Sequence, residues 1–198
     1  MSGTGLFVCG TDTGVGKTYV STLLIRELRR RGLRVAGMKP VASGASIVNG
    51  ELINDDAMQL LQAANVQSPY ATVNPYCFAP AVAPHLAAQE LATNIDIDVI
   101  EQKYRQLAGQ AEVVIVEGVG GWSVPINDTQ TMADIVSRLK LPVILVVGIR
   151  LGCINHALLT AQAITLSGNQ FAGWIANVIE PDMAMLEASI DTLKQRLM

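Results

Sequence analysis

Gly16-Lys17-Thr18 closes the stretch "GTDTGVGKT", which leaves the apolar run "GLFVC" and enters a helical pattern. A glycine, a lysine and a hydroxyl at a strand-to-helix junction are the parts of a phosphate-binding loop. Backbone N–H groups at the helix start face phosphate oxygens, the ammonium neutralises the outer phosphates, and the hydroxyl is placed for Mg2+. The common form has four residues between its first glycine and Gly-Lys-Ser/Thr. Here five residues separate Gly10 from Gly16, and Thr11 stands where the common form has glycine. One extra residue widens the loop. Gly10, Gly14 and Gly16 still let the backbone approach a ligand closely. A nucleotide phosphate site is the expectation.

A metal at that site needs more oxygen ligands than one hydroxyl. Glu117 ends the very apolar run "EVVIVE" and is followed by Gly118, Gly120 and Gly121, so its carboxylate is awkward unless it faces the site. Asp56, in "INDDAM", is a second candidate, although Asn54, Asp55 and Asp56 are also ordinary helix-start residues. Asp12, Asp128 and Asp134 compete on sequence alone. Lys39, in "GMKPVASG", ends the next strand at the same edge as Lys17. Two lysines there suit the charge that develops in phosphoryl transfer; a solvated lysine is the plain alternative. Ser43 offers a hydroxyl in the same loop. Gly152-Cys153-Ile154-Asn155 reads as a helix N-terminus able to hold a second anion such as a carboxylate, or simply a helix capped by Asn155. His85 and His156 stand isolated, and the sequence shows neither a nucleophile–base pair nor a His/Cys metal cluster.

The elements that must carry these residues alternate. Apolar runs at 5–9, 33–38, 112–117, 142–147 and 171–177 predict strands buried on both faces, as in a parallel sheet. Helical spacing predicts a helix from Lys17 to the arginine run 29–31, with Val20, Leu23, Leu24 and Leu28 on its apolar face. The three arginines read as cations at a helix C-terminus before the stop signal Gly32. Further helices are expected at 55–64, 85–92, 97–109, 131–139, 155–167 and 182–197. Strand–helix repeats imply an open, mostly parallel α/β sheet with helices on both faces, and ligands beyond the carboxyl ends of its strands. The 198 residues suit one domain. Ser68 to Pro84, with four prolines, reads as a long irregular connection. A net charge of −3 argues against a nucleic-acid surface. Three scattered cysteines suit a reducing compartment, and neither a signal peptide nor a membrane-length apolar run is visible, so a cytoplasmic location is expected.

Together, "GTDTGVGKT", "GMKPVASG", "VEGVGGW", "VILVVGIRLGCINHALLTAQAI" and "AGWIAN" resemble dethiobiotin synthetase, in the family's order, from about Phe7 to Asn177. The five-residue loop spacing is usual in that family. The resemblance implies a P-loop NTPase-type fold and an ATP- and Mg2+-dependent ring closure on 7,8-diaminononanoate with CO2. A carbamate attacks the γ-phosphate, and the second amine then closes the cyclic urea. It implies that Thr13, Gly14, Val15, Gly16, Lys17 and Thr18 hold the phosphates, with Thr13 also facing the carbamate. On the same resemblance, Thr18, Asp56 and Glu117 would surround Mg2+. Lys39, with Lys17, would be catalytic, and Ser43 would contact substrate or phosphate. Glu117, Gly118, Val119 and Gly120 would lie against ATP, and Asn177 would read adenine. Gly152, Cys153, Ile154 and Asn155 would bind the substrate carboxylate from the neighbouring subunit, which implies a homodimer.

Family members continue past "LKQRLM" into a segment that packs on adenine, so a less enclosed base pocket and weaker nucleotide discrimination are expected here. A partitioning-type P-loop switch ATPase is the alternative reading. Those proteins carry an extra lysine early in the loop, and Gly10 to Gly16 contains none.

Overall fold

The five apolar runs pair into one sheet in the computed structural model, which describes residues 4–197. In chain order the elements are β1 (Thr4–Gly10), α1 (Lys17–Arg30), β2 (Val35–Met38), β3 (Val41–Ala42), β4 (Ser46–Val48), β5 (Glu51–Ile53), α2 (Asp55–Ala63), α3 (Tyr70–Val73), β6 (Tyr76–Cys77), α4 (Pro84–Glu90), α5 (Ile97–Ala108), β7 (Val113–Glu117), α6 (Met132–Leu139), β8 (Val143–Ile149), α7 (Cys153–Leu166), β9 (Phe171–Val178) and α8 (Leu186–Arg196). The large sheet runs β2-β7-β1-β8-β9, every pair parallel. The chain moves outward from β1 to β2, returns through β7, and then passes to the other side through β8. That reversal beside β1 opens a crevice above the carboxyl ends of the strands.

Side chains alternate between the two faces of the sheet. Val8, Ile115 and Val146 pack with Val20 and Ile25 of α1 and Leu60 of α2 on one face. Phe7, Cys9, Val114, Val116, Leu145 and Val147 pack with residues of α5, α6 and α7 on the other. Both faces are covered, which is why the strands read as apolar throughout rather than alternating.

The caps explain where the helices begin. Asn54 accepts from the Ala57 N–H at the start of α2, Asp96 accepts from the Asp98 N–H at the start of α5, and Thr131 with Asp134 forms a capping box on α6. The arginine run behaves as helix-end cations. Arg30 and Arg31 pair with Glu27, Arg29 donates to the Ala63 carbonyl, and Gly32 takes a positive φ of 85° just after the helix.

Two expectations need correction, and one element carried no expectation. The buried face of α1 is Val20, Ser21 and Ile25, flanked by Leu24 and Leu28; Leu23 points out, 43% exposed. Ile25 reaches the core because the helix sits rotated relative to the stripe expected from leucines alone. The 68–84 connection is ordered into α3, β6 and the start of α4. Tyr70 anchors it: its hydroxyl accepts from the Asn54 N–H at 2.8 Å and donates to Asn74 at 2.9 Å. The hairpin β4–β5 was not anticipated, although its Asn49-Gly50 turn, with φ of 51° and 85°, carries a strong two-residue hairpin signal.

Candidate functional site

β1 ends at Gly10, and the chain wraps round to enter α1 at Lys17. Gly16 is the N-cap, with φ 92° and no side-chain cap, so the first N–H groups of α1 have no protein acceptor from a cap. A Cβ at Gly16 would stand 2.1 Å from the Asn177 amide nitrogen. A Cβ at Gly10 would meet Val15 at 2.8 Å and the Lys17 stem at 3.0 Å. Gly10 is thus the close-packed glycine of a loop one residue longer than the common form.

The loop forms one wall of a cavity of about 700 Å3 at the carboxyl ends of the strands. Thr13, Gly14, Gly16, Lys17, Thr18, Lys39, Ser43, Asp56, Val119 and Gly120 all line it. Residues from four separate sequence stretches therefore converge as expected. Val15 lies beneath, 1% exposed, filling space under the loop.

Lys17 is nearly buried and donates to the carbonyls of Asp12 and Gly120, both at 2.8 Å. Burial pushes its amine below the ordinary lysine range, and the neighbouring Lys39 ammonium adds to that, against Glu117 and Asp56. Lys39, 2% exposed, donates to Glu117 Oε1 at 2.6 Å, Asp56 Oδ2 at 3.0 Å and the Gly118 carbonyl at 3.1 Å. Burial works against its charge, but Glu117 and then Asp56 outweigh it and hold the ammonium above its ordinary value. Asp56 is half-exposed. Burial works upward on its carboxyl, and the Lys39 ammonium outweighs that and holds it below the ordinary range.

Two enclosed oxygens in this region lack partners among the described residues: Glu117 Oε2 and Ser43 Oγ. Glu117 is fully buried, with Oε1 shared between Lys39 and the Thr18 hydroxyl at 2.8 Å. An unpartnered oxygen on a fully buried carboxylate marks a place for a further cation or donor. Thr18, Asp56 and Glu117 offer a hydroxyl and two carboxylates around the Lys39 ammonium, a hard-oxygen set that suits Mg2+ completed by phosphate oxygens and water. These residues fit the metal. The competing aspartates are committed elsewhere: Asp134 to its capping box, Asp128 to Gln89, and Asp12 to Arg150 at 2.6 Å. The Thr13 N–H, followed after an opposing effect of burial by the Arg150 guanidinium, holds Asp12 below the ordinary carboxylate range.

Asn177, the penultimate residue of β9, donates from Nδ2 to the Val15 carbonyl at 2.9 Å. The Gly152–Asn155 turn does not line the cavity. It begins α7 with Gly152 at φ 91°, Cys153 buried, Ile154 half-buried and Asn155 exposed. Asn155 is not the N-cap and makes no side-chain cap, so plain capping does not account for it. His85 and His156 lie outside the cavity.

Ala81, Val82, Ala83 and Pro84, with Val124, also line the cavity and were not assigned from sequence. Val82 is left 46% exposed beside a polar site, a feature that only the fold reveals.

A family model described as an AAA domain matches residues 4–197. The chain is 52% identical over 191 residues to ATP-dependent dethiobiotin synthetase BioD of Xanthomonas oryzae pv. oryzae, covering 96% of this chain and 85% of that protein. It is 47% identical over 197 residues to the protein of the same name from Xylella fastidiosa, covering 100% and 87%. Among solved structures, a ParA family ATPase from Chlorobium tepidum TLS superposes with TM-score 0.57 at 12% identity, covering 99% of this chain and 82% of that one. The MinD cell division protein of Aquifex aeolicus gives TM-score 0.57 at 17% identity, covering 96% and 78%. At these identities the structural likeness shows the fold, an open parallel sheet of the P-loop NTPase type.

Proposed function

Since this chain belongs to the dethiobiotin synthetase family, we propose that its cavity closes the ureido ring of dethiobiotin from 7,8-diaminononanoate, CO2 and ATP. The observation that carries this reading is the mixed lining of the cavity. One part of its lining presents Lys17, Lys39, Thr18 and Asp56, with Glu117 fully buried behind Lys39, and another presents Ala81, Val82, Ala83 and Pro84. The first suits a metal-bound triphosphate, and the second suits an aliphatic diamine.

The chemistry divides between the two parts. One amine of the substrate adds to CO2 and loses a proton to give a carbamate. A carbamate oxygen attacks the γ-phosphorus, the bond to the β-phosphate oxygen breaks, and ADP leaves. The second amine attacks the carbamate carbon, loses a proton, and expels phosphate to leave the cyclic urea. Little covalent chemistry falls to the protein, so positioning and charge neutralisation dominate. Lys17, at the loop, neutralises the outer phosphates, and Lys39 faces the transferring phosphoryl group from the other side. Thr13 and Ser43 supply hydroxyls toward the carbamate, the Ser43 oxygen having no protein partner to give up. Thr18, Asp56 and Glu117 would hold Mg2+, which supplies charge neutralisation to the triphosphate.

The substrate carboxylate is assigned to Gly152, Cys153, Ile154 and Asn155 of a second copy of the chain. Asn155 shares one exposed stripe of α7 with Leu159 and Leu166, 57% and 78% exposed. Leu151 beside the turn is 87% exposed. A two-fold dimer that buries this stripe would bring each turn toward the partner's cavity. Cys9, Cys77 and Cys153 are free thiols, which suits a cytoplasmic protein. Among the described residues no helix is long and apolar enough to cross a membrane.

Phosphate release from Mg·ATP, measured with and without diaminononanoate and bicarbonate, tests the reading. Release that requires both supports the anhydride route. Release indifferent to both sinks it.

A further inference from the structure

The loop that would hold the phosphates is itself held at one carbonyl. Val15 is buried under it, and Gly16 takes φ 92°, a conformation that costs glycine little. A rotation of the Val15–Gly16 peptide would turn its carbonyl, rather than the Gly16 N–H, toward the cavity. The described chain contains no cis peptide, so the Val15 C=O and the Gly16 N–H point in opposite directions. Whatever fixes the carbonyl therefore aims the N–H.

Asn177 fixes it. Its Nδ2 donates to the Val15 oxygen at 2.9 Å across 162 residues of chain. The place of Asn177 is set by the sheet: it pairs in register with Gly148 of β8. Gly148, lacking a side chain, leaves the space that Val15 occupies; a Cβ there would stand 3.0 Å from Val15 Cγ1. A Cβ at Gly16 would stand 2.1 Å from the Asn177 amide nitrogen, so any other residue at 16 would be strained at φ 92° and would displace that amide. Strand β9 thus reaches beneath the loop through one side chain.

We infer that Asn177 is a positioning residue for phosphate. Its amide clamps the Val15 carbonyl and so keeps the Gly16 N–H directed at the bound polyphosphate, whatever else the side chain does toward the base. The inference rests on the proposed phosphate site.

Inorganic tripolyphosphate, which has no base, separates the two roles. Its Mg2+ complex is titrated calorimetrically into the wild-type chain and the Asn177→Ala and Asn177→Ser variants, with ATP titrated in parallel and thermal unfolding as the check on folding. Wild-type protein that binds no tripolyphosphate overturns the phosphate-site reading itself. Given wild-type binding, the clamp predicts that both folded variants bind tripolyphosphate about tenfold more weakly, about 1.4 kcal/mol. Unchanged tripolyphosphate affinity alongside weakened ATP binding assigns Asn177 to the base alone and overturns the clamp. Should the variants fail to fold, the wild-type side-chain amide decides by NMR. An Nδ2 proton that exchanges with solvent far more slowly than that of a free side-chain amide supports the clamp, and exchange at the free-amide rate overturns it.

Discussion

Replacing Lys39 by methionine keeps a long apolar stem and removes the charge that Glu117 and Asp56 share. Breaking a buried ion pair from one side costs about 3–5 kcal/mol, because the remaining charge is stranded. Glu117 is fully buried, so that penalty applies to it. Two features argue for the low end. The Thr18 hydroxyl still donates to Glu117 Oε1, and the Asp56 side chain, 41% exposed, rehydrates easily. About 3 kcal/mol in a chain of this size lowers Tm by roughly 6–12 °C. Calorimetry in EDTA measures the shift. Adding Glu117→Gln to Lys39→Met removes the stranded charge, so the double variant is expected to melt above the single one. Millimolar Mg2+ should recover part of the deficit in Lys39→Met, because a divalent cation replaces the ammonium between the two carboxylates. The pH window follows from the shifts. The raised Lys39 value gives stability that is full below about pH 10.4 and is lost as pH rises through the folded value. The depressed Asp56 value gives stability present above about pH 3.9 and lost as pH falls through its folded value. The deficit should therefore be flat between about pH 5 and 9. A Lys39→Met protein that melts with the wild type, or a double variant whose loss is the sum of the two single losses, refutes the reasoning.

Three further outcomes are expected. Lys17, with its amine pushed down, should be acylated at neutral pH ahead of Lys39, whose ammonium is held up; peptide mapping reads this, and Mg·ATP should protect Lys17. Val82→Asp places a charge among the apolar lining residues and should raise KM for diaminononanoate about tenfold or more while leaving the Kd for Mg·ATP within twofold, since Val82 belongs to the 81–84 segment and not to the phosphate loop. Leu159→Glu on the exposed stripe of α7 should shift the light-scattering mass to that of one chain; a mass equal to that of the wild type would remove this stripe from any interface.

The large sheet was legible because β1, β2, β7 and β8 are mostly buried and appear as unbroken apolar runs, and the edge strand β9, only half-buried, keeps enough apolar residues to read the same way. Each of the five lies within a few residues of its expected place. The stretches that escaped lack that signal. β4 is exposed throughout and β5 is exposed or half-buried, and β3 and β6 are two-residue pairings that depend on the tertiary position of Pro40 and Tyr76 rather than on any local period. The site was legible for a different reason. A buried charge at the end of a strand is costly unless it faces a partner, so Glu117 and Lys39 each pointed to a site before either was located. Asp56 was not separable from Asp12, Asp128 and Asp134 by residue type. Their hydrogen-bond partners separate them, and those partners come from distant segments. Val82 could not be assigned because exposure, not identity, is what makes it informative.

The sequence set Lys17 in a phosphate loop and left Lys39 open between the same site and a solvated strand end; the structure distinguishes the two by what their ammonium groups donate to. Lys17 is held by two main-chain carbonyls, and Lys39 by two carboxylates and a carbonyl. Neutral acceptors do little to stabilise a buried ammonium, so the Lys17 value falls; carboxylates do much, so the Lys39 value rises. On the proposed reading, a triphosphate at the loop would give Lys17 the anionic partner it lacks and strengthen its proton affinity. For Lys39 the same event would be an exchange, carboxylate oxygens against phosphate oxygens, that gains little until negative charge builds on the transferring group. With Glu117 and Asp56 counted, the four side chains sum to zero formal charge in the absence of ligand. That neutrality lets two cations stay buried at the end of an apolar sheet, and it leaves Lys17 as the group whose energy changes most when phosphate binds.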